Sequence, residues 1–178
     1  MRTLTLLRHA KSAWDDPVER DFDRPLNGKG RRAASRMGRH IAELQLGFDK
    51  IVASPALRVI QTIEGVEAGL GRSLSVVYDK RIYMASAVTL LDVVHGTTDD
   101  CTRLLMVGHN PGLEDLVLLL VPESSGGARD EVEEKYPTAT LAELSFEGSW
   151  ADLDERMATL TRFVRPRDLD PSLGPDAA

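Results

Sequence analysis

Residues 3–9 read Thr-Leu-Thr-Leu-Leu-Arg-His, a short apolar run that stops abruptly at Arg8 and His9. A run without polar alternation fits a strand buried on both faces, as in a parallel sheet covered by helices. The same design returns at residues 103–109, Arg-Leu-Leu-Met-Val-Gly-His. Residues 49–54 form a second strand of this kind, and residues 74–78 a further short one. Helical patterns lie between them. Asn27 stands as an N-cap before Ala33, Ala34, Met37, Ile41 and Leu44, which recur at helical spacing up to Gly47. Pro55 sits where a helix begins and introduces residues 57–70. Residues 87–94 read as helix, and Asn110-Pro111-Gly112 opens another that carries Leu113, Leu116, Val117 and Leu120. The alternation of strand and helix predicts an α/β fold, a three-layer α/β/α sandwich around a mainly parallel sheet. Residues 122–134, acidic and rich in Ser and Gly, read as a surface loop. Residues 138–146 read as a strand and residues 153–163 as a closing helix. One domain of residues 1–165 is therefore expected, followed by a frayed C-terminal tail of residues 166–178.

The whole chain is consistent with this. Its 178 residues, 42% hydrophobic and 28% charged, match a single globular domain. The lone Cys101 excludes an intrachain disulfide, and no Cys/His group has zinc spacing, so a cytoplasmic setting is expected. The apolar stretch after Arg2 is too short for a signal peptide, and residues 116–121 fall far below a membrane span. A formal net charge of −6 disfavours nonspecific binding to nucleic acid or anionic membranes. An anionic substrate then needs a locally positive pocket.

In open parallel sheets, ligands bind beyond the carboxyl ends of the strands. Three such ends carry reactive residues: Arg8-His9, Ser54-Pro55 followed by Arg58, and Gly108-His109. Two arginines, two histidines and two helix N-termini converging there would suit a tetrahedral anion, phosphate above all. Gly28-Lys29-Gly30 lacks the spacing of a phosphate-binding glycine loop and reads as a capping turn. With no dinucleotide fingerprint and no acidic metal cluster, neither a cofactor nor a metal is expected, and the chemistry must run on side chains. A neutral imidazole fixed through its other nitrogen can attack phosphorus directly, and neighbouring arginines favour the neutral form. His9 is thus a credible nucleophile.

These residues carry a resemblance. Residues 7–12, Leu-Arg-His-Ala-Lys-Ser, resemble the Arg-His-Gly signature of the histidine phosphatase, or phosphoglycerate mutase-like, superfamily. Residues 54–62, Ser-Pro-Ala-Leu-Arg-Val-Ile-Gln-Thr, are similar to its second signature, and Val107-Gly108-His109-Asn110 to its third. Residues 21–27, Asp-Phe-Asp-Arg-Pro-Leu-Asn, with Gly30, resemble the SixA-type phosphohistidine phosphatases in particular. The resemblance implies that His9 accepts the phosphoryl group and that Arg8, Arg58 and His109 hold its oxygens in the transition state. Lys11, Ser12 and Asn110 are further substrate-binding candidates, with Arg24 adding to the positive field. Ala10 replaces the usual glycine, which asks for an ordinary backbone conformation beside the nucleophile.

The mutase-like members also carry a glutamate acid in mid-chain, and residues 78–87 offer only Asp79. An alkoxide leaving group has a conjugate acid near pKa 15.7, against about 6.5 for imidazole. A site without a clear acid suits phosphohistidine on a partner protein, unless Asp15 or Asp79 supplies the proton. Two rivals stay open: a phosphatase or mutase for small phosphate esters, and a phosphoprotein-binding module without catalysis. His40 and His95 read as structural, Trp14 as packing on the pocket loop or touching substrate. The basic series Lys29, Arg31, Arg32, Arg36 and Arg39 reads as a solvated helix face or a dock for an acidic protein surface.

Overall fold

The computed structural model describes residues 1–15, 17 and 20–175. Asp16, in the loop after the first strand, and the last three residues of the expected tail lie outside the described residues. Six strands form one sheet in the order β3-β2-β4-β1-β5-β6. They are β1 Arg2–Arg8, β2 Lys50–Ala53, β3 Val77–Tyr78, β4 Arg103–Gly108, β5 Leu141–Phe146 and β6 Thr159–Val164. The first four in sequence run parallel, and β5 and β6 add antiparallel pairs at one side. The sheet is mostly parallel, as the apolar runs predicted.

Alternate residues of each strand feed two cores. On one face Leu4, Leu6, Leu104 and Met106 meet α3 (Ala87–His95), α4 (Gly112–Leu120) and α5 (Gly127–Glu134). On the other, Leu7, Ile51, Leu105 and Val107 meet Met37 and Ile41 of α1 (Gly28–Glu43) and Val59, Ile63 and Val66 of α2 (Leu57–Leu70). The predicted three layers are therefore present. Helices α1 and α2 approach so closely that a Cβ at Gly38 would stand 2.2 Å from the Val66 carbonyl oxygen, and one at Gly69 2.0 Å from that of Ser35. Only glycine fits there.

Three local expectations need correction. Residues 153–163 are not a closing helix: a single 3₁₀ turn, Trp150–Asp152, precedes β6. Thr159, Thr161, Phe163 and Val164 favour strand, and the open edge of β5 offered a ladder that overrode the helical spacing. The acidic stretch 122–134 is not all loop, because α5 buries Val132 and its Arg129 side chain donates to the Leu118 and Val121 carbonyls. Those donations satisfy the open C-terminal carbonyls of α4. Finally, the segment after β6 is not frayed through residue 174. Short helix α6 (Pro166–Leu169) and a 3₁₀ turn, Pro171–Leu173, follow one another, with Pro166 buried and a Lys29 ammonium donating to the Gly174 carbonyl. Among the described residues no helix is long and apolar enough to cross a membrane.

Candidate active site

Register brings the three strand ends side by side. Arg8 of β1 lies opposite Gly108 of β4, and Ala53 of β2 opposite Val107, so His9, Ser54 and His109 emerge from adjacent strands. All are buried: His9 is 8% exposed, Arg58 4% and His109 2%. The two imidazoles stand with ring centroids 5.3 Å apart.

The His9 Nδ1–H donates to the Ala10 carbonyl at 2.7 Å, which leaves the Nε2 lone pair as the nucleophilic position. Burial, reinforced by the Arg8 and Arg58 charges, pushes the imidazole down to about 4, against the hydrogen bond to Ala10 and the charge of Asp21, which favour protonation. His9 is thus neutral at physiological pH. His109 is pushed down to about 3, first by burial and then by His9 and Arg58. Its Nε2 is hydrogen-bonded at 2.7 Å to the Ser54 hydroxyl. That hydroxyl also accepts from the Ala56 N–H, and it keeps a lone pair and a hydrogen for Nε2. Nδ1 is buried with no partner among the described residues. A buried polar atom without a partner, on the ring beside His9, is a group that a bound phosphate could satisfy.

The arginines are held from behind. Arg8 donates to the Tyr136 carbonyl at 2.8 Å, and Tyr136 is anchored by its hydroxyl to the Leu6 carbonyl. Arg58 donates twice to Asp21, to the backbone oxygen and to Oδ2, each at 2.9 Å. The Tyr83 hydroxyl donates to the same Oδ2 at 2.8 Å. Hydrogen bonds from Tyr83, Arg58 and Arg24 hold the Asp21 carboxyl below its ordinary range against the opposing effect of burial. Asp21 is ionised and fixes the Arg58 guanidinium.

A cavity of about 610 Å³ opens over these groups, lined by six of the seven expected site residues: Arg8, His9, Lys11, Ser12, Arg58 and Asn110. His109, the seventh, does not line the cavity, although its ring is in contact distance of that of His9. Asn110 is committed within the fold, its amide donating to the Tyr136 carbonyl while its oxygen accepts from the Glu114 N–H. The open N–H groups expected at the start of α4 are partly consumed in the same way, by Asn110 and by the His109 carbonyl. Neither Asp15 nor Asp79 lines the cavity, and Asp79 is bound to Arg81. Trp14, 74% exposed, stands at the rim with the Arg24 guanidinium 4.0 Å from its ring centroid. Of the basic series, Lys29 faces the cavity, and Arg31, Arg32 and Arg39 are exposed.

Residues of the second signature beyond Arg58 clamp the loop that follows His9. The Thr62 hydroxyl accepts from the Ala10 N–H at 2.9 Å and donates to the Arg58 carbonyl, while Gln61 accepts from the Leu26 N–H. Ala10 keeps an ordinary backbone conformation, its methyl buried against Leu26, Ala33 and Ala139. Thr62→Val leaves the buried Ala10 N–H unpaired, at a cost of about 1–3 kcal/mol. Thermal unfolding should show Tm lower by roughly 2–4 °C per kcal/mol lost.

The pKa values also predict a pH profile. A depressed imidazole is neutral above its folded value, so kcat/KM limited by His9 should stay level down to about pH 5 and fall below about pH 4. Stability follows the same sign. Between about 4 and 6.5 the unfolded chain binds the proton that folded His9 refuses, so lowering the pH through this window removes about 3 kcal/mol. Chemical denaturation across the window reads that loss.

A model of the histidine phosphatase superfamily (branch 1) matches residues 4–83. The chain belongs to that superfamily and is a phosphatase. It is 34% identical over 163 residues to an uncharacterised protein of Mycobacterium tuberculosis strain H37Rv, covering 90% of this chain and all of that one. Among solved structures, it resembles the protein assigned as phosphohistidine phosphatase SixA of Nakamurella multipartitia, at 33% identity and TM-score 0.79, over 93% of this chain and 96% of the other. The corresponding SixA protein of Agrobacterium tumefaciens gives 32% identity and TM-score 0.76 over 93% and 98%.

Proposed function

We propose that the protein is a metal-independent phosphohydrolase that removes the phosphoryl group from phosphohistidine on a partner protein. In the first step the His9 Nε2 lone pair attacks phosphorus, the Nε2–P bond forms and the bond to the leaving imidazole breaks. Water then attacks the phosphorus of this phosphohistidine intermediate, the Nε2–P bond breaks with its electron pair returning to Nε2, and inorganic phosphate departs with the water proton. Arg8, Arg58 and His109 take the charge on the phosphoryl oxygens.

One observation carries the choice of substrate. Among the described residues the only carboxylate lining the cavity is Asp21, and it is kept ionised by Arg58, Tyr83 and Arg24. An ionised carboxylate cannot protonate an alkoxide as it departs, whereas a phosphohistidine takes a proton from solvent onto its second ring nitrogen near neutral pH and then leaves as neutral imidazole without help from the site. Two exposed apolar side chains at the cavity wall, Trp14 and Met84, suit contact with a protein surface. Turnover of a phosphohistidine protein set against that of a sugar phosphate tests the reading, and faster cleavage of the sugar phosphate would overturn it. The intact group of Arg8, His9, Arg58 and His109 speaks against a binding module without catalysis.

A further inference from the structure

The cavity is wider than the phosphoryl site needs, and its remaining wall is cationic. Antiparallel pairing sets Leu7 of β1 opposite Leu141 of β5, and Leu141 opposite Val164 of β6. The end of β6 therefore lies two strands from the end of β1, a lateral distance of about 10 Å. Arg165 and Arg167 follow there, on the segment that turns into α6, and both line the cavity together with Lys135. Arg165 is committed, since its side chain donates to both oxygens of Asp168. Among the described residues the side chains of Arg167 and Lys135 make no hydrogen bond and no ion pair within 4 Å, although the Arg167 charge is felt by Asp168, which is bound to Arg165. In a chain with 28 acidic and 22 basic residues, two cations left unpaired in a concave wall beside an anion site mark a place for negative charge.

A phosphohistidine side chain fills only part of a cavity of about 610 Å³, a volume that falls in the range of sites for whole small ligands. We propose that Arg167 and Lys135 form a second anion subsite, which binds a carboxylate or phosphate carried by the same substrate about 10 Å from its reacting phosphorus. The subsite rests on the placement of the phosphoryl group at His9 and not on the leaving group. It selects substrates with two anionic groups over those with one, and because Lys135 is exposed the preference weakens with salt.

The test is a ruler. Alkane bisphosphonates of increasing chain length are titrated against monophosphonates of equal length, with the wild-type chain and with the double variant Arg167→Gln, Lys135→Gln. The wild type should bind the bisphosphonate spanning about 10 Å roughly tenfold more tightly than its monophosphonate counterpart, an advantage of about 1.4 kcal/mol. In the double variant that advantage should shrink to about twofold, with its circular dichroism and Tm showing that it is folded. No advantage in the wild type, or the same advantage in the variant, would overturn the subsite. Because affinity is read without turnover, a failure here is distinct from a failure of the phosphohistidine reading. Substrate pairs then locate the source. A phosphohistidine peptide with a neighbouring Glu cleaved faster than its Gln twin places the second anion on a protein. A sugar bisphosphate favoured over the monophosphate places it on a metabolite. Either preference supports the subsite provided the double variant loses it, and a preference that survives the double variant counts against it.

Discussion

Replacing His9 by Ala is expected to lower kcat by at least about 10⁴-fold while leaving the fold intact. Alanine has no lone pair to form the covalent intermediate, and no other side chain in the cavity is placed to take over. His109 is the nearest imidazole, but its Nε2 is tied to Ser54 and the residue does not line the cavity. The substitution also removes a buried group that resists protonation, so the variant should lose less stability than the wild type as pH falls from about 6.5 to 4. Steady-state kinetics and an acid denaturation series check the two effects. Activity within about tenfold of wild type would remove His9 from the role of nucleophile.

The second large effect concerns the leaving group. Imidazole and an alkoxide differ by about 9 pKa units in their conjugate acids, an upper bound of about 12 kcal/mol in leaving-group stability. In a loose phosphoryl-transfer transition state the leaving group carries much of this difference. If only about a third is felt, the discrimination is about 4 kcal/mol, or roughly 10³-fold in kcat/KM. The phosphohistidine substrate should therefore be cleaved at least about 10³-fold faster than an alkyl phosphate of the same charge, with an aryl phosphate between them. A flat response across the three would mean that some group does protonate the leaving atom. Asp21 would be the first place to look, because it is the carboxylate that shares the cavity with His9.

Much of this site was legible before any coordinates. Arg8, His9, Arg58 and His109 each follow a strand end or open a helix, and apolar runs mark strand ends clearly because burial on both faces leaves no room for polar residues. Helix α1 was equally plain, with the Asn27 side chain accepting from the Gly30 N–H as its N-cap position predicted. The supporting residues were harder to read. Asp21 and Tyr83 meet across 62 positions of sequence, and no local pattern announces that both converge on Arg58. Thr62 is quoted in a signature, yet its work is a hydrogen bond to a backbone 52 residues away. The C-terminal third misled for a related reason. Residues 153–163 hold apolar side chains at spacings compatible with helix, and only the unpaired edge of β5, a tertiary fact, decides for strand. Residues 166–175 read as part of a tail because their apolar contacts are few, although Lys29 ties them to the cavity wall.

The central claim is the covalent role of His9, and trapping the intermediate tests it most directly. The wild-type chain is mixed rapidly with a phosphoryl-labelled phosphohistidine protein or phosphoramidate, quenched in alkali, where phosphohistidine survives, and mapped by peptide mass spectrometry. The label should appear transiently on His9 at Nε2, approach one phosphoryl group per chain at early times, and be absent from His9→Ala. Turnover that proceeds with no label on His9, or with the label on His109, would contradict the account.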